Sequence, residues 1–254
     1  MEAPELALRG LTKIYGQLRV VDSLNLDVPR GSMYGFVGPN GAGKTTTLSM
    51  STGLLRPDGG QVWIGGVELW KHLREAKARI GVLPDGLRLF DRLSGAELLT
   101  YNGMLRGMDK AVVAQRSADL LAALGLEEAG KKPVADYSAG MTKKIGIACA
   151  MLHAPDLLVL DEPFEAIDPV SASNMQDLLR GFVAEGGTVI LSSHVMDTVQ
   201  RLCDHVAIID HGHLLVAGTV EQVAAGKDLQ SRFVELVGGG AETKELSWLR
   251  PSSN

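Results

Sequence analysis

The sequence predicts an α/β fold with a mostly parallel sheet, and three features carry that expectation. Short runs at Met33–Val37, Leu157–Leu160, Thr188–Ser192 and Val206–Asp210 are apolar at nearly every position. Strands covered on both faces read this way, as the strands of parallel sheets do. Met33–Val37 leads directly into a glycine-rich stretch, Gly38–Thr45, and a helix-compatible stretch, Thr46–Met50, follows it. Residues 86–150 are rich in Leu, Ala, Met, Lys and Glu at helical spacing and separate the early strands from the later ones.

In chain order, Leu6–Tyr15 alternates as an edge strand does, and Leu24–Val28 reads as a second strand turned by Pro29-Arg30-Gly31. Pro57-Asp58-Gly59-Gly60 is a turn, Val62–Gly66 resumes as a strand, and Ile80–Leu83 is a short buried strand ending at Pro84. Within the helical segment, Ala111–Leu124 is an amphipathic helix stopped by Gly125, and Thr142–Leu152 is a second one stopped by His153-Ala154-Pro155. Val206–Asp210 and Leu214–Val216 form a hairpin about His211-Gly212-His213. The two histidines there are too few to hold a metal without further ligands, so the hairpin accounts for them. These elements divide the chain into one large domain, residues 1–220, with its core at 1–85 and 150–220 and a helical subdomain at about 86–149. Residues 221–254 read as a helix and a loose, glycine-rich tail.

A chain of 254 residues buries a substantial core. Its formal net charge of -5 provides no basic field to hold nucleic acid, and none is expected as a partner. Cys149 and Cys203 lie far apart in apolar surroundings, which suits buried, reduced thiols in the cytosol. The acidic start Met1–Glu5 does not read as a secretory leader. No run approaches the roughly 18–20 apolar residues needed to cross a bilayer, so a membrane role is expected to come through a separate chain.

Gly38-Pro39-Asn40-Gly41-Ala42-Gly43-Lys44-Thr45 matches the spacing G-x-x-x-x-G-K-[ST] between a strand and a helix. Glycines let the backbone wrap a phosphate chain, and N–H groups at a helix start favour a polyanion. Residues 38–46, through Thr46, are therefore expected to hold the phosphates of ATP, with Lys44 reaching the β- and γ-phosphates and the Thr45 hydroxyl on Mg²⁺. The strand Leu157–Leu160 ends in Asp161 and Glu162. Adjacent residues on a strand point to opposite sides, so Asp161 is assigned to Mg²⁺ and Glu162 to polarising an attacking water. His194 follows another strand of the same sheet, at the edge where open α/β sheets bind ligands, and can donate to a γ-phosphate oxygen. Tyr137-Ser138-Ala139-Gly140-Met141 opens a helix, where Ser138 is either an ordinary N-cap or part of an anion site.

In this order the phosphate loop, Tyr137–Met141, Leu157–Glu162 and His194 resemble the nucleotide-binding subunit of ATP-binding cassette (ABC) transporters, over about residues 5–220. The resemblance implies a phosphate-loop NTPase core of the RecA-like type, with a mostly parallel sheet, an N-terminal antiparallel β region and an inserted α-helical subdomain. It implies a head-to-tail pair of ATPase subunits sandwiching two ATP molecules. Each site would combine Lys44, Asp161, Glu162 and His194 of one chain with Ser138 and Gly140 of the other. It further assigns Tyr15 to adenine stacking and Asp168 to the loop after the acidic strand end. A separate transmembrane permease would face the helical subdomain and keep the subunit peripheral on the cytoplasmic face of the membrane. The sequence variants look most similar to bacterial export systems.

Three departures from the family pattern matter. Asp85 stands where a glutamine is usual, so a metal-bound water there meets an extra carboxylate. Ala139 replaces a glycine, which leaves the phosphate contact intact only if its backbone is not at positive φ. Lys143 and Lys144 read as a solvated face or as a contact to a nucleotide ribose across the dimer. The alternative function is a soluble ABC-type ATPase acting on an assembly other than a transporter; a nucleotide-binding regulator with little turnover is a third reading, kept open by Asp85.

Overall fold

The computed structural model describes residues 3–238. Its centre is a six-stranded sheet. The parallel strands are β3 (Met33–Val37), β6 (Ile80–Leu83), β7 (Leu157–Leu160), β8 (Thr188–Ser193) and β9 (His205–Asp210). With antiparallel β10 (His213–Thr219) at one edge, the lateral order is β10-β9-β3-β8-β7-β6. A second, antiparallel sheet holds β1 (Leu6–Tyr15), β2 (Leu18–Val28), β4 (Gly59–Ile64) and β5 (Val67–Glu68), in the order β2-β1-β4-β5.

Alternation along the parallel strands separates two cores. Tyr34, Phe36, Leu157, Val159, Ile190, Ala207 and Ile209 face the antiparallel sheet and pack with Leu8, Val28 and Val62. Their neighbours Met33, Val37, Leu158, Leu160, Leu191, Val206 and Ile208 face the helical layer with Ile145, Ala148, Met175 and Val199. Each strand is thus covered on both faces, as its unbroken apolar run requires.

Eight of the described helices are α1 (Lys44–Ser51), α2 (Leu73–Ala78), α3 (Gly95–Leu105), α4 (Lys110–Ala123), α5 (Ala139–Met151), α6 (Pro169–Ala184), α7 (Met196–Leu202) and α8 (Val220–Ala224). The last is α9 (Leu229–Val237). Their starts follow capping chemistry. Ser94 and Glu97 form a reciprocal capping box on α3, and Asp109 accepts the first N–H groups of α4. Asp168 caps α6, with Pro169 at its first position.

The structure changes several sequence readings. β1 is not an edge strand; it is flanked by β2 and β4. Its alternation records one buried face and carries no information about lateral neighbours. The second strand begins at Leu18, earlier than the run Leu24–Val28 indicates. β4 starts at Gly59, inside the expected turn, and ends at Ile64, so Gly65-Gly66 turns the chain instead of continuing it. The helix expected from Thr142 starts at Ala139, because the Ser138 hydroxyl accepts the Met141 N–H and sets the boundary. The loose tail lies almost wholly outside the described residues.

α5 reaches both layers. Its small residues let it lie close on the sheet edge: a Cβ on Gly81 of β6 would meet the Ala150 carbonyl oxygen at 2.1 Å, and one on Gly146 would meet Leu83 at 2.6 Å. Cys149 and Cys203 are buried, unpaired thiols, and burial pushes the Cys149 thiol up to about 12. Gly81→Ala is expected to push α5 off β6 and to destabilise the protein by roughly 1–3 kcal/mol. Denaturant unfolding measures it; a stability equal to that of the unsubstituted protein would contradict the close fit.

Candidate nucleotide site

The site assembles at the C-terminal ends of β3, β7 and β8. Val37 lies opposite Ser193 and Leu160 opposite Leu191, so this register delivers Gly38, Asp161 and His194 to one edge of the sheet. There a cleft of about 380 Å³ is lined by Lys44, Thr45, Thr46, Asp161, Glu162 and His194, together with Pro39, Asn40, Gly41 and Gly43.

The loop of residues 38–43 folds as it does because side chains would not fit. Gly43 has φ 98°, and a Cβ there would lie 2.7 Å from the Val20 carbonyl oxygen; at Gly38 a Cβ would lie 2.4 Å from that of Ile209. Gly43 is the residue before α1, so the free N–H groups of the first turn open into the cleft beside Lys44. Lys44 is 8% exposed, and its Nζ donates to the Gly38 carbonyl at 2.7 Å and that of Pro39 at 3.2 Å. Burial lowers the pKa of this ammonium, against an upward pull from Glu162 and Asp161. Ala42 faces away from the cleft, buried at the antiparallel sheet.

Asp161 and Glu162 both lie beyond the end of β7 and both line the cleft, so strand alternation does not separate them; their immediate partners do. Asp161 is buried, with its Oδ1 accepting from the Ser192 hydroxyl at 2.5 Å. Glu162 sits in the left-handed region at φ 46°, and its Oε1 lies 3.1 Å from His194 Nδ1. Asp85 also lines the cleft, with its Oδ1 accepting the Gly86 N–H at 2.8 Å. The donors available to a cation are thus carboxylates and a hydroxyl from Asp85, Asp161 and Thr45. This all-oxygen set fits a hard divalent ion such as Mg²⁺.

Six expected site residues lie outside the cleft lining: Gly38 and Ala42 within the phosphate loop, and Tyr15, Ser138, Gly140 and Asp168 away from it. Tyr15 stands half-exposed at the end of β1, with Lys13 Nζ 5.4 Å from its ring centroid. Ser138 and Gly140 are at the start of α5, where Ser138 acts as the N-cap. Asp168 caps α6, and its hydrogen bonds from Ser171 hold its carboxyl below the usual range. Ala139 is helical and not at positive φ, which meets the condition set for its N–H.

The paired lysines are not a solvated face. Lys144 is 8% exposed, and Lys143 donates to the Glu162 carbonyl and lies 3.7 Å from the Glu165 carboxylate. Val20, Glu165 and Ser192 are further residues at the site that the sequence reading passed over. Ser192 left one signal: a hydroxyl on a strand buried on both faces needs a polar partner, and the acidic pair ends the neighbouring strand.

Comparison with known proteins agrees with this geometry. The sequence model of the family described as ABC transporter matches residues 21–165. The chain belongs to the ABC transporter family. Over 214 residues it is 36% identical to the linearmycin resistance ATP-binding protein LnrL of Bacillus subtilis (strain 168), covering 84% of this chain and 69% of that protein. It is 39% identical to the daunorubicin/doxorubicin resistance ATP-binding protein DrrA of Streptomyces peucetius, over 84% of this chain and 65% of that protein. The bacitracin transport ATP-binding protein BcrA of Bacillus licheniformis is 40% identical over 81% of this chain and 66% of that protein. The chain thus spans about two thirds of the length of these relatives. A solved ATP-binding subunit of an ABC transporter superposes with a TM-score of 0.85 at 30% identity, covering 91% of this chain and 98% of that one. This chain is an ATP-binding subunit of the ABC family, with the family's ATPase domain and the expected phosphate-loop α/β fold.

Lys44→Ala removes the one lysine among the described residues that lines the cleft. ATP affinity is expected to fall roughly ten- to hundredfold, the scale of a lost charge-assisted hydrogen bond. Isothermal titration checks this; micromolar affinity equal to that of the unsubstituted chain would remove Lys44 from phosphate binding.

Proposed function

We propose that this subunit hydrolyses ATP to drive a separate membrane permease, in the direction of export. The convergence of Lys44, Asp161, Glu162 and His194 on one cleft carries the hydrolytic part of the reading. Lys44 binds the β- and γ-phosphates and Thr46 closes the loop about them. Thr45 and Asp161 would hold Mg²⁺, with Asp85 as a further carboxylate beside them, and the ion would neutralise phosphate charge. Glu162 orients the attacking water and takes up its proton, and His194 donates to the γ-phosphate. Tyr15 stacks on adenine. Ser138 and Gly140 serve the site of a second subunit, a further copy or a related chain, and Asp168 fixes the loop between the two sites by capping α6.

A second observation supports the permease. Beside the cleft, α3, α5 and β6 border an apolar groove of about 330 Å³, with Leu54, Leu87, Phe90, Tyr101 and Leu105 in its walls. Phe90, 57% exposed, packs edge-on against Tyr101, and Leu105 is 70% exposed, so the groove presents a cluster of apolar side chains, as interaction sites do. The segment 85–90 joins this groove to Asp85 in the cleft, giving a short route between a docked permease segment and the metal. No helix among the described residues is long and apolar enough to cross a membrane, so that segment would come from another chain. The names of the relatives, which include resistance and bacitracin transport proteins, support export. A peripheral position on the cytoplasmic face follows from this pairing.

Glu162→Gln is expected to lower the ATPase rate by about a hundredfold or more and to trap an ATP-bound pair of subunits. Hydrolysis at the original rate would remove Glu162 as the base. Asp85→Gln is expected to retain hydrolysis with a changed Mg²⁺ dependence; an unchanged rate and metal profile would take Asp85 out of the site. Capture of the Glu162→Gln protein from detergent-solubilised membranes with ATP and Mg²⁺ should bring down a polytopic membrane chain in stoichiometric yield. A soluble complex without one would count against the transporter reading.

A further inference from the structure

Glu162 is a non-glycine residue at φ 46°, a strained conformation that persists only where its surroundings enforce it. The enforcing groups are visible. The Glu162 N–H donates to the Ser192 hydroxyl at 2.8 Å, and the Glu162 carbonyl accepts from Lys143 Nζ. Ser192 comes from β8 and is fully buried. Its hydroxyl donates a hydrogen bond to Asp161 Oδ1, so it accepts from one acid's backbone while donating to the other's side chain. Lys143 comes from α5, five residues after Ser138, and its second acidic neighbour is Glu165 at 3.7 Å. Both polar groups of Glu162's backbone are therefore held by side chains from different elements, and its carbonyl also accepts the Glu165 N–H at 3.3 Å, closing a short turn that Lys143 reinforces.

We propose that Ser192 and Lys143 are positioning residues that clamp the Glu162 backbone from two sides and so aim its carboxylate into the cleft beside His194. This deepens the hydrolytic reading and rests on Glu162 being the base. Neither clamp residue is hydrogen-bonded to the Glu162 carboxylate. They act through the backbone, where rotation about φ would swing the Cβ and displace the carboxylate. A displacement of about 1 Å from the position of attack can cost a hundredfold in rate. The clamp also ties the base to the helix that begins with Ser138. A shift of α5 pulls on the Glu162 carbonyl, so the acid's aim depends on where the start of that helix lies.

Lys143→Met keeps the aliphatic stem and removes the ammonium; Ser192→Ala removes the hydroxyl with little change of volume. Each is expected to lower kcat about ten- to hundredfold while KM for ATP, and the affinity for a fluorescent ATP analogue measured without metal, stay within about twofold. Lys143→Arg should restore most of kcat, because a donor of similar reach is returned. On a Glu162→Gln background, Lys143→Met should cost nothing further, since the group being aimed is already inactive. If Lys143→Met fails to fold, Lys143→Gln gives the same comparison with a polar stem. A kcat within twofold of the original in both single variants overturns the clamp. So does a loss shared equally by nucleotide affinity, or a further loss on the Glu162→Gln background. Should Glu162→Gln itself turn over at the original rate, the base assignment fails. Should it stop while the clamp variants run normally, the clamp alone fails.

Discussion

Val37 pairs with Ser193, and Leu160 with Leu191, in parallel register, so β3 and β8 end level and β7 stops two residues short of them, which leaves Asp161 and Glu162 beside the last residues of β8. A parallel strand cannot slip by one residue without turning its buried face outward. Here both faces are buried: Leu158 and Leu160 belong to one core, Leu157 and Val159 to the other. Slippage would exchange these environments and also carry Asp161 away from Ser192. The two cores thus do more than stabilise the fold, because they fix the relative heights of the phosphate loop, the acidic pair and His194.

Within that frame, close approach governs detail. Lys44 and Asp161 are both buried in one small cleft, where desolvation and mutual attraction pull the lysine in opposite directions. Burial of such groups is costly unless partners are supplied. The Gly38 and Pro39 carbonyls supply them to Lys44, and Ser192 supplies one to Asp161. On the helical side, Gly81 and Gly146 permit α5 to sit so near the sheet that its next residues, Lys143 and Lys144, come within range of the acidic loop.

The features legible in the sequence were those encoded by neighbouring residues. Gly38–Thr45 carries its own turn requirements and helix start, and the runs ending at Asp161 and before His194 carry their own burial. Ser94, Asp109 and Thr219 carry local capping chemistry too, which the sequence reading did not draw on. What escaped depends on partners distant in the chain. β1 looks like an edge because alternation encodes faces, whereas its place between β2 and β4 is set by residues about ten and fifty positions away. Lys143 and Lys144 look like ordinary surface charges, and only the return of the chain at Glu162–Asp168 buries one and pairs the other. Ser192 carries no motif; its role exists only once β7 lies beside β8.

The hairpin joining β9 to β10 has a mechanical consequence. At its tip, the Gly212 N–H donates to the Ala42 carbonyl in the phosphate loop, and the Gly212 carbonyl accepts the Asp22 N–H of β2. Gly212 lies at φ 80°, and a Cβ there would meet the Val20 carbonyl oxygen at 2.5 Å. The hairpin is therefore a rivet through three parts of the chain: the phosphate loop, the strand that lines the cleft at Val20, and the edge of the parallel sheet. A side chain at position 212, which lies outside the cleft lining, would thus press on β2 and disturb the phosphate loop through the Ala42 carbonyl.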